Sequence, residues 1–353
     1  MRAITPPLSS STGKRYHFLT RRGRERPADP GTVRSFMLLP GSVPDAYRCR
    51  RRQVARHILV TGGAGKVGAR LVQGLLERGF TVRALVLPDD PGRARIDRLD
   101  CELVIGDITR PDSLAGLFAG VDTVYHLAAV ILCRHPEIYQ RVNVEGTRNV
   151  LAEAARAGVE HFIYVSSASV VYPRSTPYSR SKREGERLVS GNGRMQYTIV
   201  RPTLVYDREG GQEFELFRAY VSRYPLVPFI GRGQALKNPV FLDDLIAGLL
   251  SLAGCRTAHG KTYAFCGGQE ISMMELARLI RKQQGKNGYF LPLPVALCRL
   301  AARAWQLVAR GHPFSPSAIA GITQDANLDC SSAREDLGYE PLGVYEGLRR
   351  CRG

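Results

Sequence analysis

Two side chains in the stretch PYSRSK have the types and spacing to move a proton. Tyr178 and Lys182 are four residues apart, and on a helix positions i and i+4 lie one above the other. A free phenol, with a pKa of ~10, is too weak an acid to serve as a base at neutral pH. An ammonium about 4 Å away, at an effective dielectric of about 20, stabilises the phenolate by ~4 kcal/mol. The expectation is that Lys182 brings Tyr178 down into the neutral range, where it takes the proton of an alcohol and returns it. Tyr-x-x-x-Lys also describes an ordinary basic surface pair, so the elements around it must decide.

The second constellation is the turn TGGAGKVG. Gly62, Gly63, Ala64, Gly65, Lys66, Val67 and Gly68 follow the apolar run HILVT and open a stretch with Val67, Leu71, Leu75 and Leu76 at helical spacing. A glycine-rich turn between a strand and a helix suits a pyrophosphate. Glycine permits the tight turn, lets backbone N–H groups approach the phosphates, and lets helix and strand pack closely. The helix N-terminus adds a favourable field for negative charge. An acidic residue ending the next strand would favour NAD. Val86 and Leu87 stand there, Asp89 and Asp90 lie beyond a proline, and Arg83 lies within the strand. The choice between NAD and NADP stays open.

HILVT, TVRALVL, CELVIGDI, VDTVYHLAAV and HFIYVSS read as strands. PDSLAGLFAG reads as a short helix, and NVEGTRNVLAEAARAGV as a long one burying Val144, Val150, Leu151 and Ala154. Strands alternating with helices predict an α/β protein with a parallel sheet wound on both faces. After about residue 204 the alternation weakens. NPVFLDDLIAGLLSLA is a strand end and a helix, GKTYAFCGG a returning strand, and SMMELARLIRKQQG an amphipathic helix. The apolar helix at 295–309 is read as core or lid, with a membrane-surface anchor as the alternative.

Composition excludes several classes. At 44% hydrophobic and 23% charged residues, the chain is that of a soluble globular protein. No run approaches the roughly 18 apolar residues of a spanning helix. The eight cysteines are scattered, with no Cys-x-x-Cys pair, so neither a zinc site nor a redox dithiol is suggested, and a reducing, cytoplasmic compartment is the simplest account. The formal charge is +18, but residues 1–56 alone contribute +10, so no specific nucleic-acid partner is expected. That segment lacks apolar periodicity and reads as disordered. It reads as a tail upstream of a start at Met37, an organelle-targeting peptide, or a basic arm for RNA or an anionic surface.

TGGAGKVG, GDITRPDSL, YHLAA, NVEGTRNVL, YVSSASVVY, YSRSK, VRPTLVY, PVFLDDL, GKTYAFCGG and SSAREDLGYEP occur in this order. Together they resemble the extended short-chain dehydrogenase/reductase family, also called the NAD-dependent epimerase/dehydratase family, over roughly residues 57 to 350. The resemblance implies a Rossmann doubly wound sheet at 57–203 and a smaller C-terminal α/β substrate-binding domain at 204–353, with 236–268 returning to the Rossmann domain. It implies NAD or NADP as cofactor and Tyr178 and Lys182 as the catalytic pair, Lys182 also holding the nicotinamide ribose. Ser167, three residues before Val170, is the implied catalytic hydroxyl. Counting from Tyr172 would select Ala168, which donates no proton, so Ser166 stands in reserve. Cofactor contacts are implied for the glycine turn, for Asp107 and Ile108 at the adenine end, for Leu127, Ala128 and Ala129 along the nicotinamide path, for Asn143, and for Pro202 and Thr203. Lys66 and the VYD at 205–207 depart from the family pattern.

No metal is expected, and His126 in YHLAA reads as a packed strand-end histidine. A small-molecule substrate is expected, and a homodimer is compatible with the resemblance. The leading expectation is an oxidoreductase or epimerase of a nucleotide sugar, since the general layout resembles such enzymes, and the diphosphate would need cations. Lys237, Arg232 and Arg334 are candidates, or are solvated surface charges. SSASVVY and the helix at 295–309 resemble the branch acting on hydroxysteroids, sterols and flavonoid-like ketones. A third reading is a non-catalytic nucleotide-binding protein, against which the intact pair argues.

Overall fold

The computed structural model describes residues 57–133, 135–208, 212–308 and 316–351. The basic segment 1–56 lies outside the described residues.

Strand β1 (His57–Thr61) enters the glycine turn and α1 (Lys66–Glu77), followed by β2 (Thr81–Val86), β3 (Glu102–Ile105) and β4 (Thr123–His126). A continuous helical stretch then comprises α2 (Pro136–Tyr139), a π-helical segment (Gln140–Glu145) and α3 (Gly146–Arg156). Next come β5 (His161–Val165), α4 (Pro177–Ser190) and β6 (Gln196–Pro202). The remainder holds β7 (Val205–Tyr206), α5 (Gln212–Arg223), β8 (Leu226–Ile230), β9 (Leu236–Lys237), β10 (Val240–Phe241), α6 (Leu242–Ser251) and β11 (Lys261–Phe265). It closes with β12 (Ile271–Ser272), α7 (Met273–Gln283), β13 (Tyr289–Leu293), α8 (Val295–Val308), α9 (Pro316–Thr323), α10 (Ser331–Leu337) and α11 (Val344–Arg350).

Seven strands form one sheet in the order β3-β2-β1-β4-β5-β6-β11, and every pairing is parallel. Alternate residues face opposite layers. Ile58 and Val60 of β1 pack with Leu71 and Leu75 of α1 and Leu245 and Leu249 of α6. Leu59 packs on the other side with Val150, Leu151 and Ala154 of α3. The order reverses between β1 and β4, the switch point where such sheets take ligands at their carboxyl ends. A third core gathers Phe214 of α5, Phe229 of β8 and Leu276 and Ile280 of α7.

Local chemistry sets the element ends. Thr176 and Ser179 form a capping box and Pro177 is the first residue of α4, which fixes where that helix starts. PDSLAGLFAG is not the expected helix. Only Pro111–Leu114 winds, as a 3₁₀ turn, because Gly116 and Gly120 take φ of +76° and +72°. The expected strand VDTVYHLAAV ends at His126, and the long helix begins at Pro136, ahead of the expected Asn143. Its π-helical segment carries Asn143, as such bulges often carry site residues.

Gly185 of α4 faces the fully buried Tyr164, and a Cβ there would lie 2.1 Å from the phenol oxygen. Gly185→Ala should therefore cost ~1–3 kcal/mol by overpacking and lower the thermal midpoint by roughly 2–12 °C. A melting curve identical to the parent's would refute this packing.

Candidate active site

α4 presents Tyr178 in its first turn and Lys182 one turn on, and Lys182 is almost wholly buried. Its Nζ lies 4.2 Å from the centroid of the Tyr164 ring, a cation–π contact in a site with little water. One turn further, Glu186 holds Arg201 of β6 in a two-pronged pair at 2.9 and 2.7 Å. Burial pulls the Lys182 ammonium down to about 7, with Glu186 opposing.

The phenol behaves against the sequence expectation. Tyr178 is raised above the ordinary tyrosine range, first by burial and then by the Glu213 carboxylate. A hydrogen bond from Ser167 lowers it, and Tyr139 and Tyr172 raise it. Coulomb attraction to Lys182 was expected to dominate. Instead both groups are buried, and desolvation disfavours the charged form of each.

Ser167 rather than Ser166 meets Tyr178. Ser167 caps the short turn after β5, its Oγ 3.0 Å from Ser169 Oγ and accepting from Ser169 N at 3.2 Å. Ser166 Oγ is buried without a partner. The aromatic wall of the site continues with Tyr139, whose ring centroid is 6.0 Å from that of Tyr178.

The glycine turn separates into two kinds of glycine. Gly62 has φ +69°, and a Cβ on it would stand 3.0 Å from the Ala128 backbone. A Cβ on Gly68 would stand 2.2 Å from Gly62 O, and one on Gly63 2.9 Å from Ala84 Cβ. These three serve the fold. Gly65, the N-cap of α1, has an ordinary φ of −65° and is exposed. A Cβ there would meet only Gly62 O, at 3.2 Å. Its bareness suits something outside the protein, and a pyrophosphate at the helix N-terminus fits. Ala64 is buried, while Lys66 and Val67 are half-buried in the first turn of α1.

The other expected contacts divide. Asp107 stands past the end of β3, its Oδ1 accepting from Thr109 N and Oγ1 at 2.8 Å each. Ile108 is buried under α3, where a Cβ on Gly146 would come within 2.7 Å of it. Leu127, Ala128 and Ala129 are half-buried in the loop after β4, with Ala128 N donating to Thr61 Oγ1 at 3.1 Å. Pro202 ends β6, half-buried. Asn143 and Thr203 do not offer their side chains to a ligand. Asn143 is buried, with Oδ1 accepting from Val130 N at 2.8 Å and Nδ2 donating to Val130 O and Ser181 Oγ at 3.0 Å each. Ser181 Oγ in turn donates to Tyr178 O at 2.8 Å, so Asn143 ties the loop after β4 to the helix carrying Tyr178. Thr203 Oγ1 donates to Asn238 O at 2.6 Å. His126 is the packed histidine expected. It bonds Thr61 and Thr147 at 2.7 and 3.0 Å, and burial pushes it down to about 3, so it is neutral.

Glu213, at the start of α5, was not foreseen. It is exposed to solvent, yet burial raises its carboxyl above the usual range. The three candidate cations are not brought together. Lys237 is buried, with Nζ donating to Gly321 O at 2.9 Å and to Gln324 O, 5.4 Å from the Tyr172 ring, and lowered to about 8 by burial. It is therefore not a solvated surface charge. Arg334 is engaged with the Cys330 thiol, and Arg232 lines a separate cavity with Arg278 and Tyr289. Among the described residues no cluster of His, Cys, Asp and Glu could hold a metal.

Residues 58–264 match the NAD dependent epimerase/dehydratase family. The chain belongs to that family. An NAD-dependent epimerase/dehydratase family member is an enzyme whose cofactor is NAD or NADP, and the exposed glycine at the N-terminus of α1 fits such a group. When bound, the nicotinamide supplies a hydride acceptor or donor. The chain is 32% identical to 3 beta-hydroxysteroid dehydrogenase/Delta 5-->4-isomerase of Mycobacterium tuberculosis, over 83% of this chain and 89% of that protein. It is 26% identical to the UDP-glucose 4-epimerase of Vibrio cholerae, over 85% and 95%. The structure of an epimerase from Methanothermobacter thermautotrophicus superposes with a TM-score of 0.68 at 26% identity, over 84% of this chain and 91% of that one.

Two measurements probe this geometry. Gly65→Val should abolish NAD(P) binding while the thermal midpoint stays within a few degrees of the parent's, and calorimetric titration showing parental affinity would remove the phosphate site. In Glu213→Gln the carboxylate that raises Tyr178 is gone. The rising limb of kcat/KM against pH for alcohol oxidation should then move to lower pH, and an unmoved limb would show that Glu213 does not act on the phenol.

Proposed function

We propose that the enzyme transfers hydride between NAD(P) and a secondary alcohol or ketone of a large, mainly apolar and uncharged substrate, of the hydroxysteroid, sterol or flavonoid-like ketone class. The observation that carries this reading is the polarity around Tyr178. Tyr139 packs against it, ring centroids 6.0 Å apart, and Tyr172 and the carboxylate of Glu213 act on it electrostatically. The nearby cation, Lys237, spends its ammonium on the backbone carbonyls of Gly321 and Gln324. A nucleotide sugar brings a diphosphate, which the Glu213 carboxylate disfavours and which Lys237, its ammonium already engaged, does not offset. Aromatic walls suit a flat apolar ring system.

In this mechanism Ser167 donates a hydrogen bond to the substrate oxygen. Tyr178 would take the hydroxyl proton of the alcohol, the carbinol hydride would be accepted by a bound oxidised nicotinamide, and the alcohol would become a ketone. Reduction is the reverse, with Tyr178 giving its proton to the oxygen. Lys182 holds the ribose hydroxyls at the nicotinamide end. Asn143, through Ser181 and the loop at Val130, keeps Tyr178 in register.

Because burial and Glu213 both hold Tyr178 protonated, ketone reduction should proceed at neutral pH, while alcohol oxidation should keep rising into the alkaline range. The decisive test is a parallel assay of 3-hydroxysteroids and UDP-sugars with NAD and NADP. Turnover of steroid-like alcohols with none of UDP-sugars is expected. Turnover of UDP-sugars alone would overturn the substrate class.

A further inference from the structure

Far from Tyr178 in sequence, β8 and β13 pair in parallel and place Tyr289 beside Leu226 and Leu291 beside Pro228. All four are exposed, Tyr289 at 82% of its area. Val227 and Phe229, the alternate residues of β8, point inward and are buried. The outward face of this pair is thus apolar where alternation ordinarily makes it polar. Tyr220 and Tyr224 extend it and, with Pro225, Leu226 and Pro228, line a shallow cavity of about 490 Å³. On α8, Leu297 and Leu300 are exposed as well.

The two stretches of chain that form this face carry charge of one sign, and the neighbouring Glu215 is paired with Arg218. Residues 216–232 and 281–310 contain arginines and lysines and no Asp or Glu. Arg223 stands 5.3 Å over the Tyr224 ring, and Lys286 Nζ reaches Ser222 O at 3.2 Å. On the other side of Tyr289, Arg232 and Arg278 line a second cavity of about 380 Å³. Lys282 is exposed. Tyrosines, leucines and prolines rimmed by cations match the boundary of an anionic bilayer, where aromatic side chains sit at headgroup depth and cations meet lipid phosphates. A second copy of this chain would set the arginines and lysines of these two stretches against their own kind.

We propose that the β8–β13 face, with Tyr220, Tyr224 and the exposed leucines of α8, docks the protein reversibly on an anionic lipid surface. No helix among the described residues is long and apolar enough to cross a membrane, so the contact is peripheral. It goes beyond the reading of the active site and is measured without any substrate, so failure of one leaves the other standing.

The experiment is co-sedimentation of the full chain with vesicles of phosphatidylcholine containing 30% phosphatidylglycerol, and with phosphatidylcholine alone. The parent should bind the anionic vesicles and be released by high salt. The double variant Tyr289→Glu, Leu291→Glu should bind at least about tenfold more weakly, with an unchanged far-UV spectrum and NAD(P) affinity. Tyr224→Glu, on the neighbouring element, should weaken binding in the same direction. Both variants retain residues 1–56, so vesicle binding unchanged in them would assign the contact to that basic segment and overturn the proposal. Absence of parental binding would overturn it too. A parental dimer that the double variant dissociates, with vesicle binding unaltered, would assign the face to a second copy.

Discussion

The structure depends on the burial of an ammonium one helical turn from a phenol. Lys182 lies over the ring of Tyr164 and feels the charge of Glu186 one turn on, on a helix whose start is set by the capping box at Thr176. Tyr164 in turn needs Gly185, since any Cβ there would collide with it. Burial keeps Lys182 close to its titration point and Tyr178 protonated. In the proposed mechanism this disfavours an ion pair between the two before cofactor and substrate arrive. Positive charge arriving on an oxidised nicotinamide would favour the phenolate without any movement of the chain.

The switch point of the sheet explains why these parts meet. β1 delivers the glycine turn, β4 the Ala128 loop, and β5 Ser167, all at one carboxyl edge. Thr61, His126 and Thr147 lock the first two together by hydrogen bonds, and Asn143 locks the second to α4. The proposed site therefore rests on buried polar links between strands and helices, each satisfied, which is what makes such networks rigid.

Much of this was legible in the sequence where function rests on short spacing. The glycine turn, Tyr178 with Lys182, and the strand–helix alternation each lie within one or two elements. The ends of the expected elements went astray where a glycine took positive φ, at Gly116 and Gly120, or where a proline started a helix early, at Pro136. Glu213 and Tyr139 had no signal, because they reach Tyr178 from elements about 35 to 40 positions away in the chain and no periodicity links them. For Lys237 the sequence left a diphosphate cation and a surface charge both open, and its engagement was hidden for a related reason: its partners, Gly321 and Gln324, are backbone carbonyls, which have no identity in a sequence. The direction of the Tyr178 shift was also beyond reach, since Coulomb's law can be applied to a spacing but desolvation needs the surrounding atoms.

The measurement that tests the account most directly is the rate of hydride transfer in a single turnover by Tyr178→Phe, followed by nicotinamide absorbance with a ketone that the parent reduces. The ring and its packing on Tyr139 remain, and only the proton is removed. The account predicts a folded protein with parental NAD(P) affinity and a rate lower by about 10²–10⁴-fold. A Tyr178→Phe protein that transfers hydride at the parental rate would contradict it.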